Sequence, residues 1–248
     1  MKVLLNWKGE LLEAQLNDPI DISVPFSPSG LSAWYKAPMT AIPVRSDNFI
    51  GAVAEGGAVN FRDLNLNPHA HGTHTECRGH ITTEIHSVND IARFIFCPAQ
   101  LITILPELKG NDRVITRALL DRQGALDNVE ALIVRTSPHD SQFIHRNFSG
   151  SNFPYFDELA MRRIVELGVK HLLVDQPSVD KEEDGGKLIA HRVFWEGSER
   201  NNCTITELIQ VNPEIKDGLY ALNLQVAPIE NDASPSRPVL FPLLRSRG

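Results

Sequence analysis

Between residues 129 and 175 an apolar strand pattern, an amphipathic helix pattern and a second apolar strand pattern follow one another. That order predicts an α/β fold built on a parallel crossover. Two further observations agree. A chain of 248 residues is long enough to bury one large core. Its 42% hydrophobic and 22% charged residues are those of an ordinary globular protein rather than a disordered or fibrous one. We therefore expect a single domain over residues 1–248.

Taken in order, residues 21–24 (Asp-Ile-Ser-Val) alternate between Pro19 and Pro25 and read as a short strand. Residues 31–43 carry Trp34, Tyr35 and two prolines, the composition of a loop. Its aromatics either line a pocket or pack on the edge of the core. After Gly56 and Gly57, apolar side chains recur mainly at every second position as far as Asn67, which predicts one strand, or two with a kink at Asp63. Residues 99–106 form an apolar strand closed by Pro106, and Thr116 opens a short helical pattern that Gly124 ends. The strand over 129–136 precedes a helix over 156–167, with Phe156, Leu159, Ile164 and Leu167 at helical spacing. Gly168 stops that helix and a strand follows over 169–175. Residues 181–186 are charged and read as a solvated loop tip. Residues 204–209 are an apolar run enclosing Glu207, and 219–226 alternate again. From Pro228 onward the chain reads as a proline-rich tail with an apolar patch at Val239, Leu240 and Phe241.

The composition excludes some functions. A formal net charge of −7 argues against a nucleic-acid groove, which needs clustered Lys and Arg, so no nucleic-acid partner is expected. The N-terminal apolar run is shorter than a signal-peptide core, and no segment approaches the roughly 18 apolar residues of a membrane span. We expect a cytoplasmic protein with no membrane partner. Three widely spaced cysteines suit reduced thiols better than a disulfide framework. Neither a glycine-rich phosphate loop nor a G-x-S-x-G elbow is present, which argues against nucleotide binding and a serine hydrolase.

The chemistry concentrates in residues 68–80, Pro-His-Ala-His-Gly-Thr-His-Thr-Glu-Cys-Arg-Gly-His, which hold four of the nine histidines. Imidazole and carboxylate suit zinc, manganese and similar divalent ions, and a catalytic metal site needs several of them with a position left open. His71, His74, Glu76 and His80 offer four such groups. One segment can aim only some of its side chains at one point. His191 and Glu207, isolated polar residues in later apolar contexts, are the candidates to complete the set. Cys77 sits beside these groups and reads either as a nucleophile or as a small buried thiol.

Residues 72–80 resemble the H-x-G-T-H-x-D-x-P-x-H signature of the cyclase-like metal-dependent hydrolases, a family that includes bacterial kynurenine formamidase and isatin hydrolase. Asp21-Ile22-Ser23, Arg135-Thr136, residues 174–180, His191-Arg192 and Thr206-Glu207-Leu208 are similar to other segments of that family, in the same order. The resemblance implies a swivelling β/β/α domain with a central mixed sheet, a homo-oligomer (dimer or tetramer), and one or two divalent ions, zinc or manganese. It also implies hydrolysis of a carbon–nitrogen bond in a small amide by metal-activated water, most like arylformamidase. A cyclic-amide hydrolase of the isatin type and a degenerate, non-catalytic relative are the alternatives. Carried over by position, His74, Glu76, His191 and Glu207 match ligands, and His80 matches the acid or base.

The sequence departs from the signature in several places. Ala70 stands where the first histidine belongs, so His71, or else His69, must supply that ligand. The expected metal set is thus His71, His74, Glu76, His191 and Glu207. Glu76 replaces the usual Asp and reaches about 1.5 Å further. Arg78 replaces the usual proline, and the spacing from His191 to Glu207 suggests an insertion near residues 197–202.

Overall fold

The computed structural model describes the whole chain except Lys8, Ala125, residues 127–129 and residues 246–248. Its centre is a 10-stranded mixed sheet that closes on itself. The ring runs through Ala233–Arg245, Gly218–Val226, Ile95–Ile104, Ala131–Thr136, His171–Val174, Thr204–Glu207 and His74–Glu76, and the last of these pairs back onto the first. The four strands from Ile95–Ile104 to Thr204–Glu207 run parallel. The remaining pairings in the ring are antiparallel. The α/β class and the mixed sheet agree with expectation.

Strand alternation separates two cores. Leu132, Val134, Leu172, Val174 and Ile205 point outward and pack under helices with Met161, Ile164 and Phe194. Ala131, Ile133, Leu173, Leu222 and Leu240 point inward and fill the ring. Each fully buried aliphatic side chain in either core is worth about 1.5–3 kcal/mol of transfer free energy. The crossover from Ala131–Thr136 to the parallel strand His171–Val174 passes through the helix Glu158–Glu166. Asp157 caps that helix, its Oδ1 accepting from the Ala160 N–H at 2.8 Å. Gly168, at φ 75°, turns the chain out of it. The helix begins later than its apolar pattern because Tyr155 and Phe156 pair in parallel with Val114 and Ile115.

Three expectations need correction. The strand expected over 21–24 is Ile20–Asp21, and beyond it Val24 gives its N–H to the Thr73 hydroxyl rather than to a strand. In residues 51–67 only Arg62–Asn65 is a strand, paired with Thr40–Pro43. The expected proline-rich tail is instead the longest strand, Ala233–Arg245, which pairs with Gly218–Val226 and closes the ring against His74–Glu76. Its prolines lack an N–H, but their carbonyls still accept: Pro235 O from Ala227 N and Pro238 O from Ile22 N. Val129 of the expected strand over 129–136 and the last three residues of the expected tail lie outside the described residues. Among the described residues no helix is long and apolar enough to cross a membrane.

Candidate metal centre

The histidine stretch begins in the short helix Pro68–His71. Asn67 caps it, its Oδ1 accepting from the His69 N–H at 3.0 Å. Residues two apart on a helix point about 200° from each other, so His69 and His71 cannot face the same point. His69 turns to the cluster. His71 turns away: its Nδ1 accepts from the Asn67 N–H at 2.9 Å and its Nε2–H donates to Ala37 O at 2.9 Å. The expectation of His71 as a ligand is therefore corrected, because both of its ring nitrogens are engaged outside the cluster. The chain then turns at Gly72, where a Cβ would come within 2.5 Å of the Phe26 ring and 3.0 Å of Val24 O.

The strand His74–Glu76 places its first and last side chains on one face and Thr75 on the other. Thr75 Oγ1 is satisfied by Thr206 Oγ1 at 2.7 Å and Ser236 Oγ at 2.9 Å. The antiparallel register sets His74 opposite Glu207, and His74 Nε2 lies 3.3 Å from Glu207 Oε2. His191 comes from the helix Ile189–Phe194. Asp180 accepts from the Ala190 N–H at 2.7 Å, the His191 N–H at 3.1 Å and the His191 Nδ1–H at 2.6 Å. This leaves His191 Nε2 directed at Glu76 Oε1, 3.1 Å away. Carboxylate support of this kind fixes a ring's orientation and tautomer.

His69, His80 and Asp232 complete the cluster. His69 Nδ1 is 3.3 Å from Glu76 Oε2, and its Nε2 is 2.9 Å from Asp232 Oδ2. His80 Nδ1 is 3.2 Å from the same Asp232 oxygen. Three overlapping sets, His69/His74/Glu76, His69/His80/Asp232 and Glu76/His80/His191, each hold their ligand atoms within 4.8 Å of one another. Asp232 went unnoticed in the sequence because it precedes a strand that read as a tail. A pocket of about 290 Å³ opens above the cluster between Trp34, Pro177, Leu188, His69, His80 and His191. Trp34 thus lines the pocket and also packs edge-on to Phe153, with ring centres 5.9 Å apart.

Burial opposes charge at His69, His191, Glu76 and Asp232, but the pairing outweighs it. Burial lowers the pKa values of His69 and His191, yet Asp232 and Glu76 beside the first, and Asp180 and Glu76 beside the second, hold each at about 10. Burial alone would raise Glu76, yet the surrounding His80, His191 and His69 hold it well below the usual carboxylate range. The hydrogen bonds from His69 and His80 hold Asp232 well below it too. Burial pushes the Cys77 thiol up to about 11, which suits a packing residue rather than a nucleophile.

Two atoms test whether these residues fit a cation. Glu76 is fully buried, and its Oε2 has no aligned hydrogen-bond donor. His74 is fully buried as well. Its Nδ1–H donates to Gly72 O at 3.1 Å, which leaves Nε2 as a buried lone pair that faces the Glu207 carboxylate with no hydrogen-bond donor. Orphaned buried polar atoms are costly in a native protein, and a divalent cation satisfies a lone pair and a carboxylate oxygen together. The residues fit the group.

Comparison with known proteins agrees with this fold. Residues 20–181 match the family model described as Putative cyclase, and the chain belongs to that family. Kynurenine formamidase from Bacillus cytotoxicus is 28% identical over 195 residues, covering 76% of this chain and 83% of the relative. The Bacillus thuringiensis protein of the same name is 29% identical over 191 residues, with 76% and 83% coverage. Among solved structures, isatin hydrolase A from Labrenzia aggregata superposes with a TM-score of 0.65 at 13% identity, covering 92% of this chain and 94% of that one. A predicted metal-dependent hydrolase from Bacillus stearothermophilus superposes with a TM-score of 0.62 at 16% identity, covering 90% and 98%.

Proposed function

We propose that this chain is a metal-dependent hydrolase of a carbon–nitrogen bond, acting on the formamide of an arylamine as the Bacillus relatives are named to do. The observation that carries the reading is the pair of orphaned ligand atoms, His74 Nε2 and Glu76 Oε2, buried beneath an apolar pocket. His69 Nδ1, His74 Nε2 and the Glu76 carboxylate would hold the cation, with His191 and Glu207 completing the set. Zinc or manganese suits these donors, as one ion or two. The bound cation supplies Lewis acidity toward water and toward an amide carbonyl.

The chain's own residues supply the rest. Trp34, Pro177 and Leu188 form an apolar wall that takes the aryl ring and keeps bulk water from it. His80 stands in that wall with Nδ1 on Asp232, so Nε2 remains to exchange a proton with the departing nitrogen. Glu207 is held by the Val179 N–H at 3.2 Å, which fixes its carboxylate against His74. His69 beside His74 and Glu76 speaks against the degenerate alternative, since it would fill the place vacated at Ala70 from one residue earlier.

Several finer features belong to the same proposal. Ile42, Phe61, Leu64 and Tyr35 are exposed near one another in sequence and belong to no core cluster, which supports a homo-oligomer through that region. Light scattering on the purified chain tests it, and a monomer at micromolar concentration contradicts it. The buried, unpaired Cys77, Cys97 and Cys203 support a reducing, cytoplasmic setting. Activity is tested by loading the protein with Zn2+ or Mn2+ and assaying N-formylkynurenine beside isatin. Faster turnover of the formamide is expected, and turnover of isatin alone would overturn the substrate assignment.

A further inference from the structure

Asp232 lies outside the matched family segment, yet a single oxygen of its carboxylate touches two members of the site. Its place is built rather than incidental. Ala233, the next residue, pairs with Glu76 in the closing register, Asp232 O accepts from the Cys77 N–H at 3.0 Å, and Asn231 O accepts from the Val88 N–H at 2.9 Å. The side chain therefore projects from clamped backbone, the arrangement that holds a functional group to sub-ångström tolerance.

A carboxylate accepts and an imidazole nitrogen carrying hydrogen donates, so each contact decides where a proton sits. Asp232 Oδ2 takes the Nε2–H of His69 at 2.9 Å, so the nitrogen that a cation would take, after displacing its proton, is Nδ1, which faces Glu76. It takes the Nδ1–H of His80 at 3.2 Å, which leaves His80 Nε2 as the lone pair for proton transfer. The two rings lie 4.4 Å apart, tilted by 32°, so one anchor orients both. With a cation on His69 Nδ1, the two histidines would thereby keep their protons on opposite ring nitrogens, both on one acceptor.

We infer that Asp232 is a positioning residue, which sets the tautomers of a metal-binding histidine, His69, and of the acid or base, His80. This rests on the proposed function for what His69 and His80 do, and on geometry alone for where their protons lie.

The test uses the full-length Zn2+-loaded protein and its Asp232→Ala and Asp232→Asn variants, read by imidazole 15N–1H correlation, metal content and kinetics on N-formylkynurenine. Expected in the wild type are a hydrogen-bonded Nδ1–H on His80 and Nε2–H on His69, both shifted in Asp232→Ala. The same variant should lose kcat by about 10–100-fold, with KM within about threefold and metal still bound, as removal of an outer-shell partner does. Asp232→Asn, which keeps one acceptor oxygen, should fall between. An Nε2–H tautomer on His80 in the wild type, or unchanged His80 resonances in Asp232→Ala, would overturn the inference. Loss of stoichiometric metal in Asp232→Asn would overturn it in favour of a ligand. If the wild type hydrolyses no amide, the proposed function fails, while the proton positions still decide the role of Asp232.

Discussion

His69 Nδ1 lies 3.3 Å from Glu76 Oε2, and the contact joins two departures from the family signature. In the proposed ligand set the histidine comes one residue early, and the carboxylate carries one extra methylene. Shortening Glu76 to Asp withdraws the oxygen by about 1.5 Å. Glu76→Asp should therefore weaken metal binding by roughly 10-fold or more while leaving the fold intact. Titration against a chelating indicator measures it, and equal affinity would show that the longer side chain is incidental.

The two histidines flanking Ala70 should behave oppositely. His69→Ala should lose metal and activity with little change in melting temperature. His71→Ala should keep its metal but lose about 1–3 kcal/mol of stability, because the Asn67 N–H and Ala37 O are left without partners. Ala70→His should gain no metal. Ala70 is fully buried, and overpacking at such a site costs about 1–3 kcal/mol or more. Denaturant melts combined with metal analysis distinguish the three variants.

Much of this was legible in the sequence because it is local. The parallel crossover followed from apolar runs on either side of a helical pattern, and His74 and Glu76 stood out through the density of ligand-type residues around them. What was not legible depends on long-range closure. The direction of a four-residue helix decides between His69 and His71, and nothing in residue spacing shows which way Pro68–His71 enters the site. Asp232 was hidden because Pro235, Pro238 and Pro242 make the closing strand read as a tail. Pairing with Glu10–Gln15, Ile20–Asp21, His74–Glu76 and Gly218–Val226, none of it visible in the local sequence, holds that segment extended. Arg78 and residues 197–202 stood apart in the sequence, yet the Arg78 guanidinium hydrogen-bonds Asn201.

Acid stability should carry the mark of His171, far from the cluster. Burial depresses its pKa to about 4, and its Nδ1 lies 2.9 Å from Thr204 Oγ1. The unfolded chain takes up the proton near 6.5, so this contribution is complete above that pH and is lost as pH falls toward about 4. The full loss is about 3 kcal/mol. Asp175 works in the opposite sense: burial raises its pKa to about 6, and its contribution is lost as pH rises through that value. Comparing metal-free wild type with His171→Asn cancels Asp175. The stability difference between the two should shrink from pH 6.5 to 4, and a difference independent of pH would contradict the assignment.

The most direct test is metal content after loading with Zn2+ and desalting, read beside N-formylkynurenine hydrolysis in wild type and His69→Ala. At least about one equivalent with turnover in the wild type, and less than about a tenth of an equivalent without turnover in His69→Ala, is the predicted result. Wild-type protein that retains less than about a tenth of an equivalent and hydrolyses no amide would contradict the account.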